Sequence, residues 1–503
     1  MSTSRRVARN SFLNVLGQLA PFVVAFVAVP VLLRALGTER FGILSLGWAI
    51  IGYFGYLDLG LGRALTRLVA ERLGVGDHET LDQLVWTALR LLLVLGLGGW
   101  LVAYLLTPWL VHHALRISGS LQGEALWAFY VMAASVPATV VTSGLRGVLE
   151  AYQRFDLVNA ARVPLGILNY AGPLAVLPFT RNLAVVLAVL LASRLLGVVL
   201  HLLFCFAVMP TLRRGMLGPS SAIGPLLRTG GWFTVSTVVS PLMGTSDRFF
   251  IGAIVSAAAV AYYAAPYELV VKLLVIPGAV AAALFPAFAA SSGAESGATA
   301  VLYERGVKLI LVALFPLGLV LTAFSGEGLL LWMGPDVARR STFVLQVLAI
   351  GVFCNGLAQV PFYLIQGAGR PSVAARLHLV ELPLYLSLAW VLISRYGIVG
   401  AALAWSVRTA ADGAVLFYLA RHVNGGLVSR LRPRVIAVLV AATGAMMLSV
   451  ALGGTPVLVR VAYVLVASSV FGAVFWFFLM DPGERSVLLQ LRTLGALRLA
   501  ARR

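Results

Sequence analysis

The sequence FLNVLGQLAPFVVAFVAVPVLL, residues 12–33, is a run of 22 residues without a charged side chain. It follows a short basic segment, residues 1–9, which is also how a secretory signal peptide begins. The apolar core of a signal peptide has about 7–15 residues, whereas a helix needs about 20 to cross a bilayer. The run therefore predicts a first transmembrane helix and not a cleaved signal.

The composition of the whole chain extends this prediction. Of its 503 residues, 60% are hydrophobic and 11% are charged, and the mean hydropathy is +0.95. A soluble domain has about 25% charged residues, so this chain has too few to cover a water-exposed surface. A soluble enzyme, a disordered protein and a secreted disulfide scaffold are therefore excluded. Cys205 and Cys354 lie in apolar runs and indicate no disulfide framework.

Further apolar runs follow the first, separated by joints rich in Gly, Pro and Arg. They are at 43–65, 84–107, 124–145, 160–179, 183–209, 231–255, 258–288, 307–332, 342–366, 372–394, 397–420, 434–453 and 457–480. The sequence thus predicts an all-α polytopic membrane protein with about fourteen transmembrane helices. An even number of spans places both termini on one side.

The basic residues predict which side that is. The chain has 38 Lys and Arg against 19 Asp and Glu, a net charge of +19. With the N-terminus in the cytoplasm, 25 of the 38 fall in cytoplasmic segments, as the positive-inside rule requires. The excess therefore indicates topology and not a nucleic-acid partner, and we expect a multi-pass protein of the bacterial inner membrane. The basic amphipathic tail, residues 483–503, is expected to lie on the anionic cytoplasmic leaflet.

Two segments near the start of each half resemble one another. Residues 10–42 align with residues 230–262 at an offset of 220, so that Pro21 falls on Pro241. Six predicted helices in each copy make the repeats parallel and related by a pseudo-twofold axis along the membrane normal. We therefore expect an N-terminal six-helix lobe at 1–215 and a C-terminal six-helix lobe at 216–425. Two additional transmembrane helices follow at 426–482, before the tail.

Ionisable side chains inside the predicted spans need a reason, because each costs ~2.5–3.5 kcal/mol near the bilayer centre. The spans contain Asp58, Arg63, Asp247, Arg248, Glu268, Lys272, Arg408 and Asp412, and also Arg90 and Arg194, which have no oppositely charged partner on the same helix. Glu268–Lys272 and Arg408–Asp412 are spaced i, i+4. Such ion pairs can stabilise the packing of the helices. For Arg408–Asp412, this structural role and a role in transport remain equally open.

The lysine in the middle of a predicted span favours a role in function over a purely structural one. Of the 38 cations 36 are Arg, yet Lys272 lies in the middle of a predicted span. A compact ammonium pairs with a carboxylate or a phosphate as a point charge. Together with the arginines it predicts a water-filled cavity that accepts an anion. The carboxylates Asp58, Asp247 and Glu268 are candidates for exchanging a proton or Na⁺.

The sequence has no motif for catalysis or for a resident cofactor. It lacks a phosphate-binding Gly-Lys-Ser/Thr loop, a zinc-spaced cluster of Cys and His, and a hydrophilic stretch long enough for an ATPase domain. His112 and His113 are adjacent, but no third metal ligand lies near them in sequence. We therefore expect a transporter without a cofactor or a metal, and not an enzyme.

Several short motifs resemble those of one known family. They are RALGTERFG at 34–42, LDLGLGRALTRLVAE at 57–71, DRFFIG at 247–252, the Tyr pair at 262–263, LFPAF at 284–288 and QGAGRP at 366–371. Their order and spacing over residues 10–425 resemble the polysaccharide-biosynthesis membrane proteins, the oligosaccharide flippases of the multidrug/oligosaccharidyl-lipid/polysaccharide exporter superfamily.

The resemblance implies a two-lobed bundle whose helices 1, 2, 7 and 8 line a central cavity. It implies movement of a polyprenyl-diphosphate-linked oligosaccharide from the cytoplasmic to the outer leaflet by alternating access. Lys272, Arg248 and Arg63 are then the candidates for holding the diphosphate. Related lipid II flippases concentrate Arg in helix 1, where this chain has Gln18. This departure favours an O-antigen or exopolysaccharide unit, with a polymerase or chain-length regulator as a further partner.

Two other functions remain open at this point. One is a cation-coupled multidrug exporter of the same superfamily. It would need an acidic cavity, which the positive charges of Lys272 and Arg248 disfavour. A membrane-embedded glycan polymerase or ligase would need large outer loops with catalytic residues, and the predicted outer loops are mostly short.

Overall fold

A computed structural model describes residues 3–55, 58–77, 80–213, 223–290, 296–422 and 431–486. Most of the predicted amphipathic tail, residues 487–503, lies outside the described residues. The helices are α1 Thr3–Leu36, α2 Thr38–Phe54, α3 Leu61–Gly74, α4 Leu81–Trp109, α5 Gly119–Ala134, α6 Val136–Ala151, α7 Phe155–Val176, α8 Leu183–Val208, α9 Ile223–Ile254, α10 Ala257–Val271, α11 Val275–Ala290, α12 Ser296–Ala323, α13 Ser325–Met333, α14 Pro335–Gly367, α15 Pro371–Ala420, α16 Pro433–Ala451 and α17 Val457–Val474. The described part of the chain contains no β-strand.

The helices confirm the all-α prediction. Within the described ranges, nine helical segments are long and apolar enough to cross a membrane. One of them, Pro371–Ala420, covers the two predicted spans at 372–394 and 397–420. Gly397 interrupts it with a φ of 58°, a left-handed conformation that glycine adopts without a steric penalty. The count of fourteen spans stays a prediction.

The predicted span at 43–65 is interrupted in the structure. Helix α2 ends at Phe54 and α3 begins at Leu61. Leu59 and Gly60 both have positive φ, 50° and 72°, and Oδ1 of Asp58 accepts a hydrogen bond from the Gly60 backbone N–H at 3.0 Å. The local turn at Asp58 therefore starts a new helix where hydropathy alone predicts continuity.

The chain forms two compact units. The first unit comprises Met1–Leu269 and Ala375–Trp405, and the second comprises Val270–Ala374 and Ser406–Arg503. The predicted lobes at 1–215 and 216–425 were defined by a sequence repeat, and their boundaries stay a prediction.

The first unit is built around a core of apolar side chains from α3, α4, α6 and α8. Leu65, Val85, Val148 and Cys205 are fully buried in this cluster. Tight packing of this kind is expected where small and branched side chains interdigitate between helices. It holds α3 firmly against α6, which positions the polar cavity described below.

The first turn of α2 is joined to other parts of the first unit by polar contacts. Glu39 accepts hydrogen bonds from the backbone N–H and the hydroxyl of Ser118, at 2.6 and 2.9 Å. Arg40 forms a bidentate ion pair with Glu124, with N···O distances of 2.9–3.2 Å. These contacts fix the orientation of α2.

Gly42 lies at a close contact between α2 and the start of α10. A Cβ atom at this position would lie 1.8 Å from the carbonyl oxygen of Ala257, at the start of α10. The backbone N–H of Ala257 donates to the carbonyl oxygen of Arg116 at 3.2 Å. The backbone N–H of Arg116 in turn donates to the carbonyl oxygen of Gly252 at 2.9 Å. Only glycine allows α2 to approach this anchored backbone so closely.

In the second unit, α14 packs against α11, α12 and α13, and α16 packs against α12. One end of α17 is fixed by Arg460, which donates to the carbonyl of Ala323 at 2.8 Å and forms an ion pair with Glu327. The side chain of Arg460 is 8% exposed and that of Glu327 is 39% exposed, so the ion pair lies at the edge of the protein interior. Helix α16 is thus held by packing against α12, and α17 is held by the contacts of Arg460 with α12 and α13.

A cluster of six charged side chains lies at the start of α16 and just after α17. Nζ of the buried Lys308 lies 2.8 Å from Glu304 and 3.7 Å from both Asp481 and Glu484. Two arginines surround the same carboxylates: Arg305 pairs with Glu484 at 2.9 Å, and Arg432 pairs with Asp481 at 2.7 Å. The hydrogen bond from Arg432 holds the pKa of Asp481 below its ordinary value. The cluster joins the starts of α12 and α16 to the segment after α17.

Candidate functional site

A buried ion network lies where α9 and α10 face each other in the first unit. Nη2 of Arg248 donates to Oε1 of Glu268 at 2.8 Å, and the two side chains are 5% and 21% exposed. The guanidinium also lies 5.1 Å from the ring centre of Tyr267 and donates to the backbone carbonyl of Ser45 on α2 at 3.5 Å. Arg248 is therefore held by a carboxylate, an aromatic face and a backbone oxygen.

Asp247 completes this network from the neighbouring position. Its side chain is fully buried and accepts hydrogen bonds from the hydroxyl of Tyr263 and from the backbone N–H of Arg248, the latter at 2.8 Å. A buried carboxylate requires such partners, because its desolvation otherwise costs several kcal/mol. The arrangement makes Asp247 and Glu268 counter-charges of a buried arginine.

A polar cavity of about 310 Å³ lies in the same unit, where α2 and α3 meet α6 and α8. Its lining includes three cations, Arg63, Arg146 and Arg194, and two carboxylates, Asp58 and Glu150. A smaller cavity of about 160 Å³ shares Arg146 and Arg194 with it. The lining has more positive than negative side chains, and this balance favours an anionic ligand.

Glycines bring the walls of the cavity together. A Cβ at Gly62 would lie 2.7 Å from Oδ2 of Asp58 and 3.2 Å from the backbone carbonyl of Ser143, and one at Gly147 would lie 2.7 Å from the carbonyl of Gly62. Helices α3 and α6 therefore approach each other along a glycine contact. This contact places Arg63 and Arg146, one from each helix, in the same cavity wall.

Arg194 is the cation that enters the cavity from α8. Its Nη2 donates to Oδ1 of Asn169 on α7 at 3.0 Å. Its Nε is buried and has no hydrogen-bond partner among the described residues. Arg146, by contrast, pairs with Glu150 one turn along α6 at 3.5 Å, and the two side chains are 53% and 36% exposed. Arg194 thus keeps one guanidinium N–H without a hydrogen-bond partner among the described residues.

An aromatic contact joins two helices near the cavity. Tyr170 on α7 packs against Trp48 on α2, with a distance of 5.2 Å between the two ring centroids.

The structure places five of the predicted site residues in the first unit: Asp58 and Arg63 line the cavity, and Asp247, Arg248 and Glu268 form the network. The other three belong to the second unit. Lys272 begins a single 3₁₀ turn between α10 and α11. Arg408 and the buried Asp412 lie one turn apart on α15. The roles assigned to these eight residues stay predictions.

Two cations of the cavity were not assigned a role from the sequence. Arg146 directly follows the predicted span at 124–145, so hydropathy places it in a loop, but α6 continues to Ala151. Arg194 stands within the predicted span at 183–209, and its charge alone was a signal for function. Sequence spacing does not show that it meets Arg63, because the two lie 131 positions apart.

The membrane-length helices and the buried charges define a polytopic helical membrane protein with the architecture of a transporter. A solved multidrug resistance MATE family transporter of the MOP superfamily, in an inward-facing conformation, has the same fold with a TM-score of 0.70 at 17% identity, covering 81% of this chain and 97% of that one. A lipid II flippase in an inward closed conformation superposes with a TM-score of 0.67 at 12% identity, covering 95% and 99% of the two chains.

The chain belongs to the polysaccharide biosynthesis protein family, whose model matches residues 7–292. It is 29% identical over 418 residues to a protein of Shigella flexneri named "Putative O-antigen transporter", covering 82% of this chain and 97% of the relative. The family resemblance and the all-α transporter fold predicted from the sequence are confirmed, as is the prediction of a transporter and not an enzyme.

Proposed function

We propose that this protein is a flippase that moves a polyprenyl-diphosphate-linked oligosaccharide unit from the cytoplasmic to the outer leaflet of the bacterial inner membrane. The observation that carries the proposal is the cavity lined by Arg63, Arg146 and Arg194. Membership of the polysaccharide biosynthesis family and the name of the Shigella flexneri relative support a surface polysaccharide such as O-antigen as the product.

The chemistry of the substrate fits the cavity. A diphosphate is a compact anion with several acceptor oxygens, and guanidinium groups bind such oxygens through paired, charge-assisted hydrogen bonds. The buried Nε of Arg194 is one donor that a phosphate oxygen would satisfy. The lipid part of the substrate can remain in the bilayer while the headgroup crosses, so the protein needs a charged path for the headgroup alone.

Asp58 is the favoured carboxylate for ion coupling in this proposal. It lines the cavity together with Arg63, whereas Asp247 and Glu268 face Arg248 in the buried network. Exchange of a proton or Na⁺ at Asp58 would change the charge of the cavity during an alternating-access cycle. Cooperation with a polymerase or a chain-length regulator stays a prediction.

A cation-coupled multidrug exporter is the alternative, since the fold is shared with MATE transporters. A fold shared at this level of identity does not determine the substrate. The three arginines of the cavity disfavour cationic drugs, because like charges repel one another most strongly where solvent is scarce. The cavity therefore supports the anionic, lipid-linked substrate over the drug.

Complementation of a deletion strain tests the proposal. We expect Arg194→Gln to abolish export of the surface polysaccharide while the protein still inserts in the membrane, and Arg194→Lys to retain part of the export. Arg181→Gln is the matched control, because Arg181 is an exposed residue just before α8. Normal surface polysaccharide with Arg194→Gln would refute the assignment of this cavity to the substrate.

A further inference from the structure

An apolar groove with one charged side chain runs along the surface of the second unit. It has a volume of about 540 Å³ and lies between α14, the C-terminal part of α15 and α16, and ligand pockets have volumes of about 300–1,000 Å³. Val440 and Met447 in its lining are 67% and 56% exposed, so the groove is open to the surroundings. Arg421 is the only charged residue of the described lining, and it is exposed.

Two helices form the walls of the groove over the same length. Along α15, the lining residues recur at helical spacing from Ala410 to Phe417, and Arg421 follows one turn later. Along α16, they recur in the same way from Ile436 to Met447. Each series covers eleven positions, or about 16 Å along a helix axis. One leaflet supplies half of a hydrocarbon core of about 30 Å, so the groove is as long as the acyl region of one leaflet.

Small residues keep the groove open. Ala410, Gly413 and Ala414 lie on the α15 side and Gly444 on the α16 side. A Cβ atom at Gly444 would meet no other atom within 4 Å. All three helices belong to segments long and apolar enough to cross a membrane. The space between them is therefore of a kind that an acyl chain fills better than water.

Arg421 lies at one end of the groove, at the level of the lipid headgroups. It directly follows the predicted span at 397–420, on the predicted cytoplasmic side. Just before it, Tyr418 is exposed, and its ring lies 4.8 Å from that of His422, centroid to centroid. Exposed tyrosines at the end of a span are typical of the membrane interface. The apolar lining thus begins at the interface and extends into the depth of the acyl chains.

We propose that this groove binds one anionic phospholipid, with the phosphate on Arg421 and an acyl chain between α15 and α16. A guanidinium binds phosphate oxygens through charge-assisted hydrogen bonds. A headgroup with net negative charge, as in phosphatidylglycerol, complements this cation better than a zwitterionic one, whose own cation offsets its phosphate. A polyprenyl chain is much longer than the groove, so the length favours a phospholipid. The site uses no residue of the arginine-lined cavity and does not depend on the transported substrate.

Native mass spectrometry of the full-length protein, titrated with phosphatidylglycerol or phosphatidylcholine, measures the affinity for the first bound lipid. We expect the wild type to bind phosphatidylglycerol about fivefold more tightly than phosphatidylcholine, and Arg421→Gln to bind the two lipids equally. Gly444→Leu fills the groove from an exposed position and keeps the cation. It should lower the affinity for phosphatidylglycerol by a similar factor without displacing a packed atom.

Two exposed positions outside the groove provide matched controls. Arg376→Gln removes a cation near the start of α15, on the same predicted side of the membrane. Gly472→Leu adds a leucine on α17, where a Cβ atom also meets no other atom within 4 Å. Both variants should bind phosphatidylglycerol like the wild type.

The proposal is overturned if Arg421→Gln keeps the preference for phosphatidylglycerol, or if Gly444→Leu binds it with the wild-type affinity. Displacement of phosphatidylglycerol by an equal concentration of polyprenyl phosphate would also overturn it, since the groove would then serve a polyprenyl chain.

Discussion

Arg248 of α9 and Glu268 of α10 form an ion pair with an N···O distance of 2.8 Å in the interior of the first unit. The pair is enclosed by the ring of Tyr267 and by the backbone of Ser45 on α2. Removal of one partner from a buried pair leaves the other charge uncompensated, at a cost of about 3–5 kcal/mol, whereas replacement of both by apolar groups costs less. The pair therefore stabilises the contact of three helices only as long as both charges are present.

We expect Glu268→Gln to destabilise the protein by about 3 kcal/mol, because the buried guanidinium loses the one of its two counter-charges with which it forms a direct ion pair. The double variant Arg248→Met with Glu268→Leu should recover part of this loss. Apparent melting temperatures in detergent for the single variants and the double variant form a double-mutant cycle. Strictly additive effects would show that the two side chains do not stabilise each other.

The contact between Gly42 and Ala257 predicts a strong effect of a single methyl group. Gly42→Ala would place a Cβ 1.8 Å from a backbone oxygen, so α2 or α10 must move, at a cost of about 2 kcal/mol or more. Gly98→Ala on α4 meets no atom within 4 Å and should leave the melting temperature unchanged or slightly higher. Equal melting temperatures for the two variants would contradict the close approach.

The charge cluster of the second unit predicts unequal effects of two cations. Lys308 is buried among three carboxylates, so Lys308→Ala should destabilise the protein by about 3 kcal/mol. Arg339 is 78% exposed in its pair with Asp336, and Arg339→Ala should change stability by less than about 0.5 kcal/mol. Thermal unfolding of both variants checks this ranking. Similar losses of stability in the two variants would mean that the cluster does not stabilise the packing of α16 and α17.

Acid should weaken the same cluster through Asp481. The bond from Arg432 lowers the pKa of Asp481 below its ordinary value of 3.8. The stabilisation is therefore present above the ordinary pKa and is lost as the pH falls through the lowered one. Asp481→Asn should melt at a lower temperature than the wild type at neutral pH, and the difference should shrink as the pH falls below the ordinary pKa of 3.8. A difference that is constant with pH would argue against this pairing.

Much of the architecture followed from the sequence because hydropathy reports directly on membrane-spanning helices. The run at residues 12–33 lies within α1, and the family resemblance was carried by short motifs such as residues 34–42. Gly42 illustrates the limit of such reasoning. Its place in a motif is visible in the sequence, but its neighbour Ala257 lies 215 positions away, and no local pattern encodes that approach.

The candidate site was only partly predictable for the same reason. Arg248 and Glu268 are each recognisable in the sequence as charges within predicted spans, but their ion pair across α9 and α10 is not, because sequence spacing relates Glu268 only to residues one turn away, such as Lys272. Arg146 was missed because the predicted span at 124–145 ends directly before it, whereas α6 continues to Ala151. Partners that come from different helices depend on packing, which a hydropathy profile does not contain.

Translocation by the purified protein tests the central claim most directly. The rate at which a fluorescent polyprenyl-diphosphate-linked sugar crosses the membrane of proteoliposomes would be compared for the wild type, the triple variant Arg63→Gln, Arg146→Gln and Arg194→Gln, and the control Arg181→Gln. Each charge-assisted hydrogen bond contributes about 1.5–3 kcal/mol, so the triple variant should be slower by a factor of about 10 or more, with the control unchanged. Translocation by the triple variant at the wild-type rate would contradict the assignment of the arginine-lined cavity to the diphosphate.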